Sequence, residues 1–366
     1  MNTLQFRRAF LPAFALSSFF LLPCSLFPQG TLTPPGAPAP TMKTLDQVEA
    51  RTPLAGGTSP LGVGSGSYYL TGNLNISTSA NGITVSGSNV TIDLNGFTLT
   101  GSSSGSGSGI FLSGGFSNVT IVNGTIRNWG SHGINALGNP NLRAEKLRVI
   151  SNGGNGIAAD LNCEVVNCIA DSNVGYGIQG TDNCLVKDCQ VTGSTGVPGD
   201  GIVLGQAALV TGCVASGNIG NGIKLTSGAA KDCTTNNNGG NGISASIVEH
   251  CTALQSGSSG FGIYATTASN CYCRNTGVGE GLYATNASNC FGYTTGTGTG
   301  INATNASNCY GFNSGSGVGL ASNGIAIGCY GYSATGFGLS ANIANSCLGQ
   351  TSTGTAQSIT NKYNMP

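Results

Sequence analysis

Charge is scarce in this sequence. Lys, Arg, Asp and Glu make up 7% of 366 residues and the formal net charge is zero. The chain therefore lacks the basic footprint that neutralises phosphates, and no nucleic-acid partner is expected. Histidine occurs twice, and the 14 cysteines include no Cys-x-x-Cys pair, which removes the spacing of tetrahedral zinc sites. No Gly-Gly-x-Gly-x-Asp nonapeptide occurs, so a calcium-binding roll is excluded, and no cofactor is expected. No interval has an amphipathic stretch of 3.6 periodicity, which excludes the helical repeat families. Long apolar runs are missing too: Ala9–Leu22 is broken by Pro12, too short for a good membrane span. With Arg7 and Arg8 before it, that run has the form of an export signal. The mature chain is expected to carry no transmembrane segment.

Glycine, by contrast, is abundant and regularly placed. One sentence is written repeatedly: Gly262-Ile263-Tyr264-Ala265-Thr266-Thr267-Ala268-Ser269-Asn270-Cys271 returns from Gly281 to Cys290 and from Gly300 to Cys309, with looser copies ending at Cys329 and Cys347. Gly-Ile/Leu pairs begin at 109, 133, 156, 177, 201, 222, 242, 262, 281, 300, 319 and 338. A period near 20 residues marks a solenoid in which one repeat is one coil. The regular return of Ile, Leu, Val and Cys argues against disorder. Each interval holds two or three short strands, and parallel coils stack about 4.8 Å apart. About 12 coils are expected, giving a column on the order of 55–60 Å.

In chain order, residues 1–27 read as the export signal and 28–43 as a Pro-rich linker. Residues 44–66 read as an N-terminal cap, whose short helix over Thr44–Ala50 starts with the capping-box pair Thr44 and Gln47. The coils run from 67 to 350, and 351–366 form a C-terminal tail or cap. Asn89–Leu99 and Asn118–Ile126 alternate apolar and polar residues, as strands do.

Cysteines 168, 189, 213, 233, 251, 271, 290, 309, 329 and 347 fall once per coil, so they stack as one column. Polar residues such as Gln190, Thr234 and Thr252 follow them, which turns the cysteines inward as small apolar fillers. Mostly free thiols are expected, with Cys163–Cys184 the candidate for a disulfide. Asn270, Asn289 and Asn308 should stack as a hydrogen-bonded amide ladder.

The run Val90-Thr91-Ile92-Asp93-Leu94-Asn95-Gly96-Phe97-Thr98-Leu99-Thr100-Gly101, followed by the Gly-Ile coils, resembles the right-handed parallel β-helix proteins of the pectate-lyase-like superfamily. The resemblance covers roughly residues 41 to 350 and implies an all-β, right-handed parallel β-helix. That superfamily includes polysaccharide lyases and hydrolases, adhesins and inert rods, so the fold alone does not assign an activity. Its hydrolases use clustered carboxylates. Here no two carboxylates are adjacent, and Asp200-Gly201 stands without the other polygalacturonase motifs. Lys187, Asp188, Asp232 and His250, each one or two residues before a column cysteine, form the one charged strip that could host catalysis. Solvated turn charges pairing with one another are the plainer explanation.

With the cysteines inward, the residues one and three positions later point outward. In the last coils these are Tyr272, Phe291 and Tyr293, Tyr310 and Phe312, and Tyr330 and Tyr332. Stacked, they make an aromatic ribbon suited to polysaccharide. A covering tail, a second protomer or a reversed inward assignment would each remove that role. The sequence thus reads as an exported, extracellular, cell-surface or periplasmic rod. Its expected role is non-catalytic binding of polysaccharide or a cell surface; a polysaccharide lyase or glycosidase is the alternative.

Overall fold

Each turn of this chain is built on the closest approach that two backbones can make. In a computed structural model, residues 50–254, 256–257 and 259–365 are described. A Cβ added at Gly281 would sit 2.5 Å from the carbonyl oxygen of Gly300, and one at Gly300 would sit 2.6 Å from that of Gly319. The glycine punctuation therefore reflects coils in backbone contact. Beside each glycine, the next residue hydrogen-bonds across coils: Ile263 N–H to Gly281 O, 3.1 Å, and Leu282 N–H to Gly300 O, 3.0 Å.

The described residues form 36 strands and no helix. All strand pairings are parallel, and three columns run along the axis. The glycine column aligns Ile243, Ile263, Leu282 and Ile301. The middle column aligns Val248, Ala268, Ala287 and Ala306. The cysteine column aligns Tyr272, Phe291, Tyr310 and Tyr330. In earlier coils the first two columns use separate strands, as in Ile202–Leu204 and Ala208–Thr211. From Ile243–Glu249 onward a single strand crosses both. Loss of the intervening loop explains why the period tightens to 19.

The stack is longer than the 12 coils expected. The middle column runs through 16 strands, from Thr52–Leu54 to Gln357–Tyr363; fifteen steps of about 4.8 Å make roughly 72 Å. The glycine-pair count missed the ends because Leu61 lacks a preceding glycine, Gly82-Ile83 stands 27 residues before Gly109 and so outside the regular spacing, and Gln357 replaces the apolar residue of the last turn. Leu61, Ile83 and Ile110 are in register, as are Leu339 and Gln357.

The expected helix over Thr44–Ala50 falls on residues 44–49, outside the described ones. Within the expected cap, Thr52–Leu54 and Leu61–Val63 are instead paired strands, with Leu54 and Val63 facing the core. The expected tail holds Gln357–Tyr363, which continues the coil on Leu339–Asn345. Met365 takes the place of the next column cysteine, and its Sδ accepts the Cys347 N–H at 3.1 Å.

All 13 described cysteines are free and buried. Cys163 and Cys184 are not bonded as a disulfide: the Cys163 N–H donates to Cys184 Sγ at 3.2 Å. Column thiols also donate to the carbonyl two residues earlier, as Cys271 does to Ser269 at 3.2 Å. Cys290 is pushed up to about 12 by its hydrogen bond with Cys271 and by burial, partly offset by Cys309. Cys290 thus stays a protonated packing group.

Candidate functional site

The residue before each column cysteine must adopt a left-handed backbone. Asp188, Asp232, His250, Asn270, Asn289 and Asn308 have φ between 51° and 53°, and Gly212 and Gly328 occupy the same place at 65° and 59°. Gly, Asn, Asp and His tolerate this region best. The requirement accounts for the asparagine column without an amide ladder. Among the described residues, no hydrogen bond joins the amides of Asn270, Asn289 and Asn308; Asn270 Nδ2 lies 3.4 Å from His250 Nε2.

Immediately after that turn, the chain alternates. Cys271 and Cys273 are buried while Tyr272 and Arg274 are exposed. In the following coils Phe291 and Tyr293, Tyr310 and Phe312, and Tyr330 and Tyr332 stand outward, exposed or half-buried. Beneath them the interior position shrinks along the column, from Val191 through Ala215, Thr235, Ala253 and Cys273 to Gly292, Gly311, Gly331 and Gly349. Large residues outside accompany vanishing ones inside.

The rings form two rows. Tyr272 and Phe291 are parallel at 5.1 Å, as are Tyr293 and Phe312 at 5.3 Å and Phe312 and Tyr332 at 4.7 Å. Carbon contacts are best near 3.5–4.0 Å, so parallel rings with these centroid spacings overlap with an offset, like shingles, leaving part of each face bare. Tyr310 breaks the ladder, lying edge-on to Phe291 (5.0 Å, 90°) and Tyr330 (4.7 Å, 79°). Arg274 lies 5.6 Å over the Tyr293 ring. Tyr332 is hydrogen-bonded to Ser352 at 2.6 Å, and Tyr330 donates to Gln350. A shallow trough of about 440 Å³ runs beside the first row, between the rings of Tyr272, Phe291 and Tyr310 and the turn residues His250, Asn270, Asn289 and Asn308. No carboxylate lines it.

The charged strip is in register but does not converge. Lys187 aligns with Thr211, then Lys231, then Glu249. Lys187 pairs with its neighbour Asp188 at 3.9 Å, and Lys231 with Glu249 at 2.8 Å. The latter bond raises the Lys231 ammonium and lowers the Glu249 carboxyl. Gly212 separates Asp188 from Asp232 by a whole coil. A recess beside Asp188, lined by Asn167, Gln190 and Val214, contains no second carboxylate. His132 is structural: its Nδ1 accepts the Asn155 N–H at 2.9 Å, which puts its proton on Nε2, and burial lowers its pKa. Among the described residues no cluster of three His, Cys, Asp or Glu could hold a metal ion, and no helix is long and apolar enough to cross a membrane.

A further aromatic group lies on the glycine column. Tyr264 and Tyr283 are parallel at 5.2 Å and 4°, and Phe261 leans on both at 5.5 and 5.8 Å. The alternation that exposes Tyr272 also predicts this pair, since Ile263 and Leu282 are buried. Beside it, Glu280 accepts from Asn302 Nδ2 at 2.8 Å, while its Oε2 is buried without a partner. Burial raises the Glu280 pKa, opposed by the Asn302 bond. A raised carboxyl contributes stability below its unfolded pKa and loses it as pH rises through its folded value. The melting-temperature advantage of Glu280→Gln over wild type should therefore grow from pH 4 to pH 8. An advantage that is constant across that range would contradict this assignment.

The family described as "Right handed beta helix region" matches residues 62–238. Residues 62–238 are thus a right-handed β-helix region, and the parallel strand columns continue the same coils on both sides of it. Among solved structures it is similar to the A-module of the Azotobacter vinelandii mannuronan C-5 epimerase AlgE4, at 15% identity and TM-score 0.44, covering 81% of this chain and 88% of that one. It is also similar to the Dettilon tailspike protein gp208, at 13% identity and TM-score 0.33, covering 84% and 61%. At such identities the likeness concerns the coil architecture alone. No curated protein sequence matches the chain.

Proposed function

We propose that this chain is an exported, non-catalytic β-helix that binds polysaccharide along the aromatic ribbon of its last coils. The observation that carries the reading is the two outward rows of seven rings in all, Tyr272 to Tyr332, at spacings of about one coil beside a trough that no carboxylate lines. Sugar rings stack on aromatic faces, and a row with a fixed period favours a repeating polymer over a single small molecule. Asparagine amides along the trough supply donors and acceptors for hydroxyl groups. The reading runs along the axis of the helix and does not use the charged strip, whose recess offers one carboxylate where glycoside hydrolysis uses a pair.

The test is depletion of the purified protein by insoluble polysaccharides, with cellulose, chitin and starch as the panel. Wild type should be depleted by at least one polymer. Tyr310→Ala/Tyr330→Ala should bind it at least ten-fold more weakly, since each ring stacking contributes about 0.5–1.5 kcal/mol beyond area and about 1.4 kcal/mol is a factor of ten. Absence of depletion with every polymer would overturn the reading.

A further inference from the structure

We infer that the recess in front of Tyr264 is a second carbohydrate site, for a single uncharged pyranose ring. It lies on the glycine column, away from the ribbon, and stands or falls separately. The stack of Tyr264 on Tyr283 ends abruptly: the residue in register with Tyr264 on the preceding coil is Ser244. No ring covers Tyr264 on that side, and Tyr264 is 44% exposed. On its other side Tyr283 and Phe261 hold it in place, so the ring is oriented before any ligand arrives.

The space left by Ser244 is a recess of about 150 Å³ with Leu225 among its walls and the hydroxyls of Thr226, Ser244, Ser246 and Thr266 around it. That volume is on the order of five waters, the scale of one sugar ring and not of a polymer segment. Among the described residues none of the four hydroxyls has a hydrogen-bond partner, and each can donate and accept. One bare aromatic face with several uncommitted hydroxyls matches a pyranose, which offers C–H groups on a face and hydroxyls at its rim. No charged side chain lines the recess. Lys224 is in register with Ser244 one coil further on, outside it.

Saturation-transfer NMR on the full chain tests this, using the methyl glycosides of glucose, galactose, N-acetylglucosamine and glucuronic acid as probes. At least one neutral glycoside should receive saturation at its ring protons. The signal should be lost in Tyr264→Ala and retained in Tyr310→Ala, a ribbon variant. Ser244→Ile, which keeps every ring but fills the recess with a residue favoured in strands, should also lose it. Transfer to no glycoside, transfer that survives either recess variant, or transfer confined to the glucuronide would overturn the inference.

Discussion

Gly311→Val is expected to be among the most destabilising single substitutions in this protein. Gly311 lies on the inner side of the ribbon, directly between Tyr310 and Phe312. A Cβ there would meet the Gly319 carbonyl oxygen at 2.2 Å, its carbon at 2.7 Å and Leu320 Cβ at 2.9 Å. Two of these atoms are backbone, so no rotamer change relieves the contact, and the obstacle is the next coil itself. Overpacking costs about 1–3 kcal/mol and occasionally more; with three added carbons against backbone we expect at least about 3 kcal/mol. Because each coil rests mainly on its neighbours, the damage should be local. Hydrogen exchange should accelerate first around Leu320 and Gly319, before the coils near Trp129 respond. A melting temperature and exchange pattern like those of wild type would refute the packing argument.

The second large effect is expected from Asn313→Leu. This side chain is fully buried at the end of the ribbon strand. Its Nδ2 donates to the Gly296 and Gly298 carbonyls at 3.1 and 2.5 Å, and its Oδ1 accepts the Gly315 N–H at 2.5 Å. Leucine is close in shape but leaves the Gly298 carbonyl and the Gly315 N–H without the Asn313 partner, while the Gly296 carbonyl keeps the Gly317 N–H; each orphaned buried group costs about 1–3 kcal/mol. A loss of roughly 3 kcal/mol or more in urea unfolding is expected. Asn275 makes a similar set of bonds two coils earlier, to the Gly260 and Glu280 carbonyls and from the Gly277 N–H. Ser333, one coil later, makes two of this kind, donating to Gly317 O and accepting from Gly336 N. Asn313→Ser should accordingly recover part of the loss. If Leu and Ser variants were equally stable, the hydrogen bonds would not be what holds this turn.

These two positions show which features were legible in the sequence. Cys271, Tyr272 and Cys273 follow a strict in-out-in alternation, so the inward cysteines and outward rings follow from strand geometry alone. Gly311 was visible as a repeat residue, but only the neighbouring coil's carbonyl explains why nothing larger fits. The same holds for Asp188, Asp232 and His250. Their alignment is readable because each precedes a column cysteine, whereas the left-handed turn that selects them is a backbone property no spacing reveals. The first and last turns escaped the glycine count because their punctuation is Pro60-Leu61 and Ala356-Gln357. Tyr264 and Tyr283 were within reach of the alternation rule but are a pair only, since the third copy has Asn302, so they do not stand out as a row.

The axial direction of the hydrogen bonds has a mechanical consequence. Bonds such as Ile301 N–H to Gly319 O and Leu320 N–H to Gly338 O point along the stack. Tension on the strand Gln357–Tyr363 would be transmitted from coil to coil, and the end turn, held by a neighbour on one side only, would be the first to give way. Under force the stack would peel in steps, each releasing one 19-residue turn, about 65 Å of extended chain. Pulled from that end, the stack is expected to yield by increments while the coils behind keep their surfaces intact.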